Sequence, residues 1–146
     1  MKIRFFIYST CLLFFLLSCY NSTNKTNNEN TITIKDYFDR EIQIPIKVNR
    51  VLPLFYVQAE MICVLGASNK IVGIGKLFAI QSTIIHEHFS QLYKLPQVGN
   101  QSNVNFEKVI ALKPDIVFSG LEKDVSDRLE QLKIKNLSTF QPVISS

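Results

Sequence analysis

Two histidines, three cysteines and five glycines are all that 146 residues contain, and these scarcities exclude most chemistry. His86 and His88 stand two apart with no third ligand beside them, a poor arrangement for zinc. They would share a face only on a strand, so they read as surface histidines and no metal site is expected. Of the cysteines, Cys11 and Cys19 belong to the N-terminal apolar segment or its end. That leaves Cys63 alone, so the mature chain has no internal disulfide. Cys63 falls in a helical pattern with Val57, Met61, Val64 and Leu65, which reads as a buried, inert thiol. Gly73-Ile74-Gly75 lacks the third glycine of a dinucleotide loop, because Phe78 stands in its place. GxSxG, HExxH, CxxC and P-loop patterns are missing, so neither an enzyme nor a bound cofactor is expected. No cluster of bases interleaved with aromatics is present, and nucleic acid is not an expected partner.

Long apolar runs are scarce too. The longest, residues 5–17, is too short to span a bilayer comfortably. It follows Lys2 and Arg4 and ends in Leu16-Leu17-Ser18-Cys19, the pattern of a secretory signal peptide. The ending resembles a bacterial lipobox, in which cleavage precedes the cysteine and its thiol takes a diacylglycerol. Residues 1–18 are therefore expected to be a lipoprotein signal peptide, with Cys19 the lipidated residue and the chain anchored rather than spanning. An ordinary signal peptide with a chance cysteine is the alternative. Losing Lys2 and Arg4 lowers the net charge from +4 to +2, so part of the basic character belongs to the signal. Residues 19–30 are polar and asparagine-rich and cannot bury enough apolar area to offset ordering, which predicts a disordered tether.

Residues 31–146 read as one domain with a modest core. Ile32 and Ile34, then Ile42 and Ile44, alternate with polar neighbours and predict a hairpin turning near Phe38, Asp39 and Arg40. It reads as an edge feature and not as a site. Val51, Leu52 and Leu54 form a strand. A helix over residues 57–65 follows, with Gly66 as its stop, and then a strand at Ile71, Val72 and Ile74: a compact βαβ unit. Residues 76–97 are irregular, with a short helix expected inside 84–93. Asn105 caps a helix whose apolar stripe is Phe106, Val109 and Ile110. Pro114 ends it and drives Lys113 out of helical geometry. Ile116, Val117 and Phe118 form an unbroken apolar run, the mark of a buried parallel strand. Residues 121–133 form a helix on Val125, Leu129 and Leu132, and residues 136–140 the last strand. The fold class is α/β: a doubly wound parallel sheet with helices on both faces, preceded by a short β-hairpin.

Three segments carry a resemblance. DYFDREIQIPIKVNRVL (residues 36–52), AEMICVLGASNKIVGIG (59–75) and VGNQSNVNFEKVIALKPDIVF (98–118) resemble, in order, motifs of the iron-siderophore and vitamin B12 substrate-binding proteins of ABC importers. The likeness covers about residues 32–140. It implies the N-terminal lobe of a two-lobed binding protein, with a second lobe expected to be absent. It also implies a small-molecule metal chelate as ligand (a ferric siderophore, cobalamin or haem) and ABC permease subunits as partners. The chain would sit on the bacterial cell membrane by its lipid, facing the periplasm or the exterior.

In open α/β sheets, ligands bind outside the carboxyl ends of the strands. Those ends supply Phe55 and Tyr56, then Lys76, Leu77 and Phe78, then Asn100, Gln101, Ser102 and Asn103. The aromatic rings offer flat area to a chelate scaffold, and Lys76 a cation for a negatively charged one. The polar run precedes a helix N-terminus, where N–H groups favour anionic or carbonyl ligands. Each residue has a plainer reading: Phe55 and Phe78 as core, Lys76 as a solvated charge, Asn103 as a loop residue. Three functions follow: a lipid-anchored binding protein that captures the chelate and delivers it to a permease; a truncated single-lobe fragment without transport; or a small surface lipoprotein making protein contacts.

Overall fold

The computed structural model describes residues 30–76, 83–100 and 102–139. The signal segment, Cys19 and nearly all of the expected tether lie outside them.

The hairpin forms as expected. Strands β1 (Thr31–Lys35) and β2 (Glu41–Pro45) pair antiparallel, Ile32 opposite Ile44 and Ile34 opposite Ile42. Asp36 makes the turn: its Oδ1 accepts from the N–H of Phe38 at 2.9 Å and of Arg40 at 3.0 Å. Its Oδ2 accepts from Arg40 Nε at 2.9 Å. Arg40 Nη2 then donates to Asn136 Oδ1 at 3.1 Å and Ser138 Oγ at 3.2 Å. Tyr37 N–H donates to the Ser138 carbonyl at 3.0 Å. The hairpin is a separate two-stranded sheet, but these bonds fasten it to the far side of the main one.

The main sheet is parallel. β3 (Val51–Pro53) pairs with β6 (Ile116–Ser119), and β6 with β7 (Asn136–Ser138). On the other side of β3, Ile71 bridges Val51 and Ile74 bridges Gln97, both parallel. The strand expected at Ile71, Val72 and Ile74 is thus reduced to single bridges. Val72 N–H donates to Val51 and Ile74 N–H to Pro96, but Pro96 has no N–H to extend the ladder. The chain grows the sheet outward from β3 in one direction as far as Gln97. It then crosses back to place β6 against the opposite edge of β3.

Alternate residues divide the core between the two faces. Val51, Ile71, Ile74 and Ile116 pack beneath α1 (Tyr56–Val64) with Ala59, Ile62 and Cys63, joined by Ile85 of α2 (Thr83–His88) and Leu92. Leu52, Leu54 and Val117 pack on the other face with Val109 of α3 (Phe106–Leu112) and Val125 and Leu129 of α4 (Lys123–Gln131). Helices therefore cover both faces, as the doubly wound class requires. Between Val98 and Asn105, β4 (Gly99–Asn100) pairs antiparallel with β5 (Asn103–Val104).

Helix boundaries follow the expected signals. Asn105 Oδ1 accepts from Lys108 N–H at 2.9 Å and caps α3. Gly66 takes the left-handed conformation just past α1. Lys113 does leave helical geometry, but into the left-handed region at φ 45° rather than the extended one that a following proline favours. Two apolar patterns are corrected. Ile110 is half exposed, so the α3 stripe narrows to Phe106 and Val109. Met61, Val64 and Leu65, grouped with Cys63 in sequence, lie exposed while Cys63 is buried. Met61 and Leu65, with Val57, Ile62, Phe118 and Thr139, line an apolar groove of about 360 Å³ along α1.

Candidate functional site: the carboxyl edge of the sheet

Where the order of strands reverses, between β3 and β6, neighbouring chain segments leave the sheet in opposite directions and open a crevice. Leu54 N–H still donates to the Phe118 carbonyl at 3.0 Å, so β3 and β6 separate only beyond Leu54. Phe55 follows as the N-cap of α1 in extended geometry, and its ring centroid lies 4.7 Å from that of Tyr56. Both rings are half-buried, and Tyr56 packs partly on the first core cluster.

One side chain ties the strand ends together here. Gln58 Oε1 accepts from Phe55 N–H at 3.1 Å. Its Nε2 donates to the Ser119 carbonyl at 2.9 Å and to Thr139 Oγ1 at 2.8 Å. The ends of β3, β6 and β7 are thereby held by a single amide, and the first turn of α1 is fixed over the crevice. Sequence reasoning did not single out Gln58. The available signal was Gln at the third helical position, the half of a capping box that reaches back to the N-cap N–H. It was hidden because the N-cap is Phe55, which has no oxygen to complete the box.

On the other side of Phe55 the backbones close up. A Cβ on Gly75 would lie 2.3 Å from the Leu54 carbonyl oxygen, and one on Gly99 2.2 Å from that of Asn103. Lys76 N–H donates to the Gly99 carbonyl. Phe55, Lys76 and Asn100 therefore emerge from three successive chain segments along one edge. Lys76 is exposed and forms no ion pair among the described residues. Asn100 is half-buried, and its Oδ1 accepts from Asn103 N–H at 2.8 Å, which shapes the β4–β5 turn. Ser102 and Asn103 are exposed beside it. Leu77, Phe78 and Gln101 lie outside the described residues. The edge as described brings together an aromatic pair, a cation and a polar turn, groups that suit the holding of a ligand.

The other singled-out residues stand apart. His86 and His88 are exposed on a helix, not a strand, and His88 Nε2 lies 3.8 Å from Glu87 Oε2. No group of three metal-ligating side chains occurs among the described residues, and none of their helices is long and apolar enough to cross a membrane. Burial pushes the Cys63 thiol above its ordinary value of 9.0, and the charge of Glu60 adds to this. For Asp36 burial also pushes upward. The Arg40 side-chain hydrogen bond, its N–H and its charge, with the Phe38 N–H, outweigh that and hold the carboxyl below 3.8.

Residues 52–141 match the periplasmic binding protein family. The chain belongs to that family. It is 29% identical over 119 residues to the molybdate-binding protein MolA of Haemophilus influenzae, a match covering 77% of this chain and 34% of MolA. It is 31% identical over 105 residues to the uncharacterized ABC transporter substrate-binding lipoprotein YvrC of Bacillus subtilis, covering 70% of this chain and 30% of YvrC. The structure of MolA bound to molybdate superposes with a TM-score of 0.68 at 25% identity, over 73% of this chain and 34% of MolA. The chain thus spans about a third of the length of the curated relatives it matches. The resemblance read from its three motifs and the parallel α/β class both stand.

Proposed function

We propose that this chain is the N-terminal lobe of an ABC-importer substrate-binding protein and presents its carboxyl edge to a metal-containing small molecule. The observation that carries this is the Gln58 tie: one amide fixes three strand ends at the sheet's reversal point, where Phe55, Tyr56 and Lys76 stand on a rigid support. A ferric siderophore, cobalamin or haem would lay flat apolar area on the rings, and a negatively charged chelate would meet Lys76. The likeness to MolA favours a second reading, an oxyanion held by Lys76 and the polar turn at Asn100, Ser102 and Asn103. Delivery to ABC permease subunits, attachment through a lipid on Cys19 and a position facing the periplasm or exterior complete the proposal.

The sequence has five tyrosines and no tryptophan, so emission comes from tyrosine alone, and comparison with Tyr56→Leu isolates the part that Tyr56 contributes from the edge. Titration with a ferric siderophore, cobalamin, haem and molybdate should give saturable quenching with one class and not the others. Loss of that quenching in Tyr56→Leu, with Lys76→Gln weakening it, is the expected result. Quenching by none of the four, or binding that Tyr56→Leu and Lys76→Gln leave untouched, would overturn the assignment. Intact mass from the membrane fraction tests the anchor: a diacylglycerol adduct beginning at Cys19 supports it, and an unmodified Cys19 defeats it.

A further inference from the structure

The opposite, amino end of the sheet carries a second groove, of about 400 Å³, lined by Pro45, Ile110, Lys113, Lys133, Ile134 and Lys135 among others. The three lysines are exposed and form no ion pair among the described residues. The acid that lines the groove, Asp115, is turned to the backbone: its Oδ2 accepts from the N–H of Asn49 at 2.8 Å and of Arg50 at 2.9 Å. Lys113 and Lys133 close α3 and α4 in the left-handed conformation, at φ 45° and 58°, a place that glycine fills most easily. A cation at a helix C-terminus offsets the macrodipole, but Lys135 lies beyond either helix. Apolar groups accompany the charge: Ile110 is 50% exposed, and Ile46, next to Pro45, is 61% exposed.

The chain also enters the fold at this groove. Thr31 pairs with Pro45, and Ile46 N–H donates to the Asn30 carbonyl at 2.9 Å. Ten residues lie between Cys19 and Asn30, and the eleven chain steps that join them reach at most about 40 Å. We infer that this lysine-rimmed groove rests on the anionic phospholipid headgroups of the membrane to which Cys19 is attached. The inference builds on the lipid-anchor reading of Cys19. Basic residues near an anionic surface attract it by about five-fold each in affinity, and exposed isoleucines sit at the headgroup boundary. Because the strands are parallel, the groove and the carboxyl edge lie at opposite ends. Resting on the groove leaves the ligand edge open to solvent.

The test uses residues 19–146 with Cys19→Ser, which contains all of the described fold and carries no lipid. Co-sedimentation is measured with vesicles of phosphatidylcholine alone and with about one-third phosphatidylglycerol, at low salt and at about 1 M. Expected are binding to the anionic vesicles only, its loss at high salt, and a weakening of roughly 100-fold in Lys113→Gly/Lys133→Gly/Lys135→Gln. The glycines suit the left-handed backbone, so that variant keeps its fold, as circular dichroism will report. Lys135→Gln alone should weaken binding about five-fold. Equal binding to neutral vesicles, insensitivity to salt, or a triple variant that binds like the parent would overturn the inference. So would no binding to either vesicle. None of these measurements uses the lipid, so a failed anchor shows only in the mass at Cys19 and a failed surface only here.

Discussion

Gln58 Nε2 stands 2.9 Å from the carbonyl oxygen of Ser119, sixty-one residues further along the chain. That bond joins the first turn of α1 to the end of β6, across the point where the sheet reverses. Gln58→Ala removes it together with the bonds to Phe55 and Thr139, and leaves partly buried groups without partners. A loss of about 1–3 kcal/mol in unfolding free energy is expected, measured by urea denaturation. Gln58→Glu should be no better. Its carboxylate keeps the acceptor for Phe55 N–H but has no hydrogen to give Ser119, and it faces a carbonyl oxygen. A Gln58→Glu variant as stable as the parent would refute the geometry.

The Asp36–Arg40 pair sets an acid limit. The Asp36 side chain has no exposed surface, while that of Arg40 is 23% exposed. Arg40→Ala strands a buried carboxylate and should cost on the order of 3 kcal/mol, freeing the hairpin from β7. Since the folded carboxyl titrates below 3.8, its stabilisation is complete above that value. It is lost as pH falls from there through the lower folded value. Thermal melts between neutral pH and pH 2 should show this decline in the parent and a flatter curve in Asp36→Asn.

Cys63 sets an alkaline limit by the opposite sign. Burial, with Glu60 beside it, keeps the folded thiol protonated above 9.0, whereas the unfolded thiol ionises there. Stability is full below 9.0 and falls as pH rises from 9.0 through the folded value. Cys63→Ala should abolish that dependence. At neutral pH a thiol reagent should modify the native chain only as fast as it opens. Immediate stoichiometric reaction would contradict the buried position.

Much of this was legible because burial leaves a period in the sequence. Ile116, Val117 and Phe118 read as a strand covered on both faces, and Val51 with Leu52, sent to opposite clusters, read likewise. Asn105 and Gly66 announced helix ends through backbone needs that few other residues meet. What escaped depends on partners far along the chain. Nothing near Asp36 in sequence indicates that Arg40 reaches Asn136 and Ser138, and nothing near Gln58 points to Ser119 and Thr139. The α1 face misled for a different reason. Met61, Val64 and Leu65 are as apolar as core residues, but in the described fold they are exposed, Met61 and Leu65 along an open groove, which periodicity cannot distinguish from a buried face. Of the candidate ligand contacts, Phe55, Lys76 and Asn100 were inferred from strand ends alone, and the edge does bring them side by side.

The glycines at that edge give the sharpest test of how it is built. Gly75→Ala would place a Cβ 2.3 Å from the Leu54 carbonyl oxygen, and Gly99→Ala one 2.2 Å from that of Asn103. Both obstacles are backbone, so neither can swing aside as a side chain would. Gly99 is also at φ 101°, where any L side chain is strained. Each substitution must therefore shift main chain. The two shifts fall at different places: Gly75→Ala parts Lys76 from Phe55, and Gly99→Ala opens the β4–β5 turn that carries Asn100. Losses of about 2–4 kcal/mol are expected for either, with amide exchange rising first at Lys76 and Asn103 respectively. If ligand quenching survives Gly99→Ala but not Gly75→Ala, the contact is with the aromatic pair and Lys76 rather than with the polar turn, which favours the chelate over the oxyanion.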